Sequence, residues 1–266
     1  MDDYPITTLI CCHQSLLSGA NLALLDWVQK ADKSKIRIIV LLPLPNPTLS
    51  RKFKDAGCTV WVGFFANPLR HTAHRNAKRK ITDFAQLMMY FLVNWASMLI
   101  VYHRVRKSNV AIIHSNSFAV PFGAELALRL GIPHVWHVRE FMEQDHHIQH
   151  RDPAKIAQLA NYSHAIFISP MVEKVISSQY TFRSSKTLLD RVELEQSYVR
   201  TRSFMEDGTC RMLIAGTIME SKGQADAVRA TIELHRLGYQ VELNICGQGD
   251  LSTISQFLNT ETNEYI

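Results

Sequence analysis

Short apolar runs alternate with segments whose apolar residues recur every three or four positions, from Thr7 through Cys246, and this alternation leaves few folds open to the chain. A continuous run of four to seven apolar residues suits a strand buried on both faces. Recurrence at three- and four-residue spacing suits a helix with one apolar stripe. Strand, helix, strand in that order builds βα units and a mostly parallel sheet. Strands are expected at 7–12, 36–42, 59–62, 110–114, 134–137, 165–168, 212–215 and 241–246. Leu24, Leu25 and Val28 stripe the first helix, and Val120, Ala124, Ala127 and Leu128 stripe the one after Ser117. Asp152-Pro153 and Ser169-Pro170 each place a capping side chain before a proline at the first helical position.

After Ser178 the alternation stops, and 180–208 is rich in Ser, Thr, Arg and Glu. A linker is expected there, dividing the chain into domains at 1–195 and 205–266. With 266 residues and 47% hydrophobic content, a real core is available to the first. The second is small: a piece of that size buries only about 60% of its unfolded surface. Either it packs on the first domain, or residues that would follow Ile266 are absent.

Net charge is +5, and much of the excess lies in Arg70, Arg75, Lys78, Arg79 and Lys80, with His71 and His74 among them. Such a stretch suits an anionic partner, membrane surface or nucleic acid, and equally a solvated loop. Residues 84–102 are almost wholly apolar and about as long as the shortest membrane span. Gln86, Asn94 and Ser97 interrupt them, and strand-helix alternation resumes at once, so a core helix is expected first. The basic flanks, Lys78 to Lys80 and Arg104, Arg106 and Lys107, leave open a helix lying on an anionic surface. The five cysteines show no CxxC or Cys/His ligand spacing, which fits a reduced compartment. No secretory signal opens the chain. A cytoplasmic protein is expected, peripheral on the inner membrane face if it meets lipid.

Two glycine loops carry the chemistry. Gly216 follows the strand at 212–215, and Lys222-Gly223 lead into the next helix; Gly247 and Gly249 follow the strand at 241–246. Both loops should leave the same edge of a parallel sheet, where ligands of open α/β sheets bind. Backbone N–H groups at a helix start favour an anion, and Lys222 adds a full charge where a diphosphate would lie. An ordinary strand-to-helix turn with a solvated lysine reads the first loop equally well. The second loop tilts the balance toward a nucleotide.

These residues resemble those of the retaining glycosyltransferase group 1 family, of GT-B fold, in which two Rossmann-like domains face each other. Ser18-Gly19-Ala20 is similar to the family's glycine-rich loop, and Gly131-Ile-Pro-His-Val-Trp-His137 to its "GIP…H" strand. Gly216 to Gly223 is similar to its "GRL…KG" loop, and Asn244-Ile-Cys-Gly-Gln-Gly249 to its "I-x-G-x-G" strand end. The resemblance implies an N-terminal Rossmann-like acceptor-side domain and an incomplete C-terminal donor-side one. It implies that Lys222, with Gly223, meets the donor diphosphate, that Gly216 lets it approach, and that Gly247 and Gly249 border the nucleotide. His137 would face the transferred sugar and Gly19 would line the cleft. The implied enzyme is a hexosyltransferase moving a sugar, with retention, from a nucleotide sugar to a glycan or lipid-linked acceptor. It would use no cofactor or metal and bind no nucleic acid.

The sequence departs from the family at Thr217, where arginine is usual, and no Asn-Gly pair stands near 188–195. The E-x7-E segment would fall beyond Ile266. This chain alone is therefore expected to show little or no transferase activity. A non-catalytic acceptor- or membrane-binding subunit of a split enzyme is the alternative. A dehydrogenase fits less well, because Ser18-Gly19-Ala20 is no full G-x-G-x-x-G and no acidic residue ends the second strand near Leu42.

His137-Val-Arg139-Glu140 follows a strand, and alternation places His137 and Arg139 on one face with Glu140 turned away. His114-Ser-Asn-Ser117 ends the preceding strand at the same rim, where it could touch acceptor, with Ser117 capping the next helix. Asp145, His146, His147 and His150 have metal-like composition without a metal site's spacing. No Gly-x-Ser-x-Gly, His-Glu-x-x-His or full Walker sequence occurs.

Overall fold

The apolar runs fold into strands of one parallel sheet. The structure, a computed structural model, describes residues 5–71, 79–190, 205, 207–252 and 254–255. The chain divides into two compact units, Met1–Arg191 and Val192–Ile266.

The first unit runs β1 (Ile6–Cys11), α1 (Gly19–Lys30), β2 (Ile36–Leu42), α2 (Pro47–Asp55), β3 (Thr59–Val62), β4 (Leu69–His71), α3 (Arg79–Lys107), β5 (Ile112–Ser115), α4 (Pro121–Leu130), β6 (His134–Val138), α5 (Met142–His146), β7 (Ile148–His150), α6 (Pro153–Tyr162), β8 (His164–Phe167), α7 (Pro170–Ser177) and β9 (Ser184–Thr187). Its main sheet has the order β3-β2-β1-β5-β6-β8-β9, with every pair parallel. The order reverses at β1: β2 and β3 lie to one side, β5 and the later strands to the other. At such a reversal the loops leaving the two central strands part, opening a crevice at the carboxyl edge.

Alternation along the strands divides the core between the faces. Leu9, Cys11, Ile39 and Leu41 pack with Val101 and Val105 of α3 and Leu126 of α4. Their neighbours Ile10, Cys12, Val40 and Leu42 pack with Leu24 and Val28 of α1 and Leu49 and Phe53 of α2. Fully burying each such side chain is worth about 1.5–3 kcal/mol. Helix starts are fixed by the expected caps: Asp152 accepts from Lys155 N at 2.9 Å and Ser169 from Val172 N at 3.2 Å. Asn46 before Pro47 repeats the device, accepting from Leu49 N at 2.9 Å.

Three sequence expectations are corrected here. The stretch read as linker from 180 contains β9, a polar edge strand (SSKT) that pairs with β8 through its backbone and so needs no apolar pattern. The linker's remainder at 191–204 lies outside the described residues. A second correction is β4 and β7, which form a separate antiparallel pair that three-residue runs could not announce. Arg70 in β4 donates to Gln149 at 3.2 Å; Arg75 and Lys78 lie outside the described residues, as do the side chains of Arg79 and Lys80.

The third correction is α3, which is a core helix on one side only. Met98, Val101 and Val105 are buried, whereas Phe91, Leu92, Trp95, Leu99 and Ile100 are exposed. The polar residues face inward: Asn94 accepts from Ala66 N and donates to Ala66 O, both at 2.8 Å, and the Ser97 hydroxyl donates to Gly63 O. Among the described residues no helix is long and apolar enough to cross a membrane.

In the second unit β10 (Cys210–Ala215) and β11 (Val241–Cys246) pair in parallel, joined through α8 (Gln224–Arg236). Val228, Val241 and Leu243 are buried, while Leu213 is 67% exposed. The described strands of this unit are therefore covered on one face.

Because Asn94 satisfies both backbone groups of Ala66, Asn94→Leu should lower stability by about 1–3 kcal/mol despite adding apolar surface. Urea unfolding reads this directly; an unchanged midpoint would mean that the Asn94 amide does not hold the β3–β4 loop.

Candidate functional site

The first unit gathers its polar residues at the carboxyl edge of β1, β5 and β6. Asn116, just past β5, is wholly buried. Its amide donates to Ala20 O of α1 at 3.0 Å, and its oxygen accepts from Arg139 Nε at 3.2 Å. Arg139 also donates to Asp190 at 2.6 Å and approaches His137 Nδ1 at 3.5 Å. A guanidinium only donates, so this approach leaves the single proton of a neutral imidazole on Nε2. His137 Nε2 is buried and, among the described residues, has no hydrogen-bond partner. His114, its ring centroid 5.6 Å away, likewise has a buried, unpartnered Nε2.

Burial first, then the charge of Arg139, then His114, pulls His137 down to about 2; burial and Arg139 pull His114 down to about 4. Both rings are neutral at physiological pH. His137 thus cannot serve as a general acid or base there, but its Nε2–H can donate a hydrogen bond to an oxygen brought against it.

The neighbours are spent internally. Glu140 turns away from His137 as alternation required, and accepts from Ser117 Oγ at 2.5 Å and from Ala119 N at 3.2 Å. Ser117 does not cap α4: Val120 occupies the cap position, and Ser117 Oγ accepts from Ala119 N at 3.0 Å in the preceding turn. Asn116 and Ser117, expected as acceptor contacts, are buried at 0% and 1% exposure. His134, which sequence reasoning passed over, bridges Ser163 Oγ at 2.7 Å and Ser115 Oγ at 3.0 Å and serves the core. Gly19 opens α1 with Ser18 as a cap whose buried hydroxyl has no partner. A side chain at Gly19 would meet nothing within 4 Å, so nothing in the described packing demands glycine there.

In the second unit the two glycine loops meet each other. Gly216 N donates to Cys246 O at 2.8 Å and Ile218 N to Gln248 O at 2.9 Å, which carries the β10–β11 pairing on through Gly249. A Cβ at Gly247 would land on the Gly216 carbonyl, and one at Gly249 on the Ile218 carbonyl. These glycines are required by backbone touching backbone, whatever else they border. Gly249 (φ 152°) also needs its backbone conformation, as do Gly216 (φ 153°) and Gly223 (φ 77°), but the last two have open space where a side chain would stand.

Lys222 is exposed and closes a short 3-10 turn, Glu220–Lys222, and Gly223 is the cap of α8. The helix therefore begins at Gln224, two residues later than the opening expected at Lys222, because the left-handed Gly223 separates the two turns. No side chain caps the first turn of α8. Gln224, missed in the sequence, is buried and donates to Thr217 O at 3.0 Å, tying the loop from Gly216 to the helix start. Its only signal was its place after Gly223.

No family model matches the sequence, and no curated protein matches it. Solved structures do. A lipopolysaccharide outer core galactosyltransferase, WaaB, in its apo form, superposes with TM-score 0.65 at 11% identity, over 95% of this chain and 63% of that one. A glycosyltransferase from Rickettsia africae gives 0.61 at 13% identity, over 96% of this chain and 64% of that one. UGT89C1 of Arabidopsis thaliana, complexed with UDP-L-rhamnose, gives 0.51 at 10% identity, over 94% and 71%. The fold is of the GT-B type. The chain spans less than two thirds of the length of the first two.

Two tests follow from this geometry. His114 (about 4), His134 (about 3), His137 (about 2) and His150 (about 4) are all held by burial below the 6.5 of a free histidine. The unfolded chain takes up these protons first as pH falls. Their contribution to stability is whole above about pH 6.5 and is lost below it, at up to about 1.4 kcal/mol per pH unit for each ring. Urea midpoints measured across this range should fall steeply, and less steeply for His137→Gln; an unaltered slope in that variant would place the ring in water. Separately, Gly247→Ala and Gly249→Ala should destabilise the second unit by more than about 2 kcal/mol. Gly216→Ala and Gly223→Ala should cost only strain, about 1–2 kcal/mol. Hydrogen exchange over β10 and β11 distinguishes them, and equal loss in all four would contradict the loop contact.

Proposed function

We propose that this chain belongs to a nucleotide-sugar-dependent glycosyltransferase, cytoplasmic, of hexosyltransferase type, acting with retention on a glycan or lipid-linked acceptor. The observation that carries this is the buried, unpartnered Nε2–H of His137 at the carboxyl edge of a GT-B sheet. Leaving a buried donor unpaired costs about 1–3 kcal/mol, and a sugar hydroxyl is an acceptor of suitable size. Fold likeness to glycosyltransferases, one of them solved with UDP-L-rhamnose, supports the same reading.

The donor's diphosphate is assigned to the loop from Gly216 to Gly223. Open space above Gly216 and Gly223 admits an anion to the backbone, α8 offers uncapped N–H groups, and Lys222 supplies charge. As the bond between sugar and diphosphate breaks, negative charge builds on the departing phosphate. A fixed cation and backbone donors stabilise that charge more in the transition state than before it. Gly247 and Gly249 border this loop and hold it in place. Gly19, with nothing packed against it, leaves room beside the edge that holds His137. In this reading Lys222 and the backbone donors meet the diphosphate, and no metal or cofactor is assigned to the site.

Thermal unfolding with UDP-, GDP- and ADP-sugars tests this. One sugar should raise the midpoint by a few degrees at saturating concentration, and Lys222→Ala should abolish the rise while leaving the unliganded midpoint in place. No response to any of the three would end the proposal.

A further inference from the structure

The outward side of α3 is absorbed by neither the sheet nor the sugar site. Between Met88 and Ile100 it exposes Phe91, Leu92, Trp95, Leu99 and Ile100 at 44–64%, along roughly 20 Å of helix. At 100° per residue these side chains, with Met88, Met89 and Val93, occupy one continuous arc, and Asn94 and Ser97 lie on the opposite side, bonded inward to Ala66 and Gly63. The middle of the helix is thus apolar outward as well as inward, where Met98 and Val101 pack beside Asn94 and Ser97. Contiguous exposure on this scale marks a docking face rather than scattered surface residues.

Charge identifies the occupant. The arc that is apolar through Ile100 continues in the last turns as His103, Arg106 and Lys107, all exposed, and no acidic residue occurs from 84 to 107. Arg104 is directed elsewhere, over the Trp61 ring at 4.3 Å. A second copy of the chain fits poorly. Among the described residues the arc carries its cations only at its C-terminal end, His103, Arg106 and Lys107, so parallel pairing through this face sets like charges together and antiparallel pairing sets them against the apolar stretch at Met88, Met89 and Leu92. A bilayer bearing anionic headgroups meets both parts at once, hydrocarbon for the apolar arc and headgroups for the cations. The helix would lie on such a surface, since it is not apolar enough over a sufficient length to cross it. Beside it, a cavity of ≈ 300 Å³ between α3, α4 and α6 carries the apolar lining inward past Met98, Phe122 and Ile156.

We infer that α3 docks this protein on an anionic lipid bilayer through the face centred on Trp95 and Leu99. This stands independently of the sugar-transfer reading, because its readout involves no nucleotide. The full chain is sedimented with vesicles of phosphatidylcholine alone and of phosphatidylcholine mixed with phosphatidylglycerol. Binding to the mixed vesicles should be about tenfold tighter or more, with a blue shift of tryptophan emission. The triple change Trp95→Ser, Leu99→Ser, Ile100→Ser should weaken it by at least about tenfold. Arg106→Glu with Lys107→Glu, at exposed positions that a loss of folding would spare, should reduce binding to the level of phosphatidylcholine alone. A chain that stays in the supernatant with both vesicles overturns the inference. So does binding that neither variant alters, or a dimer in solution that the triple variant dissolves.

Discussion

The first unit depends on one buried amide. Asn116 sits where the strand order reverses, and its two polar ends hold the two sides of that reversal together: Ala20 O at the start of α1, and the guanidinium of Arg139 beyond β6. A wholly buried amide with one end unpaired costs about 1–3 kcal/mol, so the bonds to α1 and to Arg139 stand or fall together. Arg139 in turn sets the state of His137. Without a fixed cation at Nδ1, the ring could take either tautomer. With it, the donor is Nε2.

That arrangement constrains the chemistry. A histidine held neutral down to about 2 by burial and a neighbouring cation does not shuttle protons. It offers direction, one N–H in a place from which water is largely excluded, and its strength against an oxygen rises with the low polarity around it. The second unit offers the complementary property, an exposed ammonium and uncapped helix amides around open backbone. The first suits a hydroxyl and the second suits phosphate.

The sheet was legible because β1, β2, β5, β6 and β8 are apolar runs with both faces covered, and their bounds fall within two residues of those expected. The candidate site was legible only where its proposed residues follow a strand or end one, as Gly216 and His137 do. What the sequence concealed has a common cause. β9 is held by backbone bonds at an edge, Asn116 and Gln224 by side-chain bonds to distant carbonyls, and such partners leave no period in the chain. The glycines show the same limit. Gly216, Gly223, Gly247 and Gly249 look alike as letters, yet Gly216 and Gly223 accommodate a backbone conformation, Gly247 a neighbouring carbonyl, and Gly249 both.

The rotation of α3 about its axis follows from what lies beneath it. The β3–β4 loop passes under the helix with the backbone groups of Gly63 and Ala66 turned upward, and these need partners once covered. Apolar side chains there would bury two carbonyls and an amide unsatisfied, so Asn94 and Ser97 must face in. That requirement fixes the rotation of the helix about its axis. Once it is fixed, Phe91, Trp95 and Leu99 have nowhere to go but outward. Polar residues at those three positions would have left the inward contacts untouched. The fold accounts for the inward side of the helix, polar Asn94 and Ser97 beside apolar Met98 and Val101, and leaves the outward apolar side without a role in the packing.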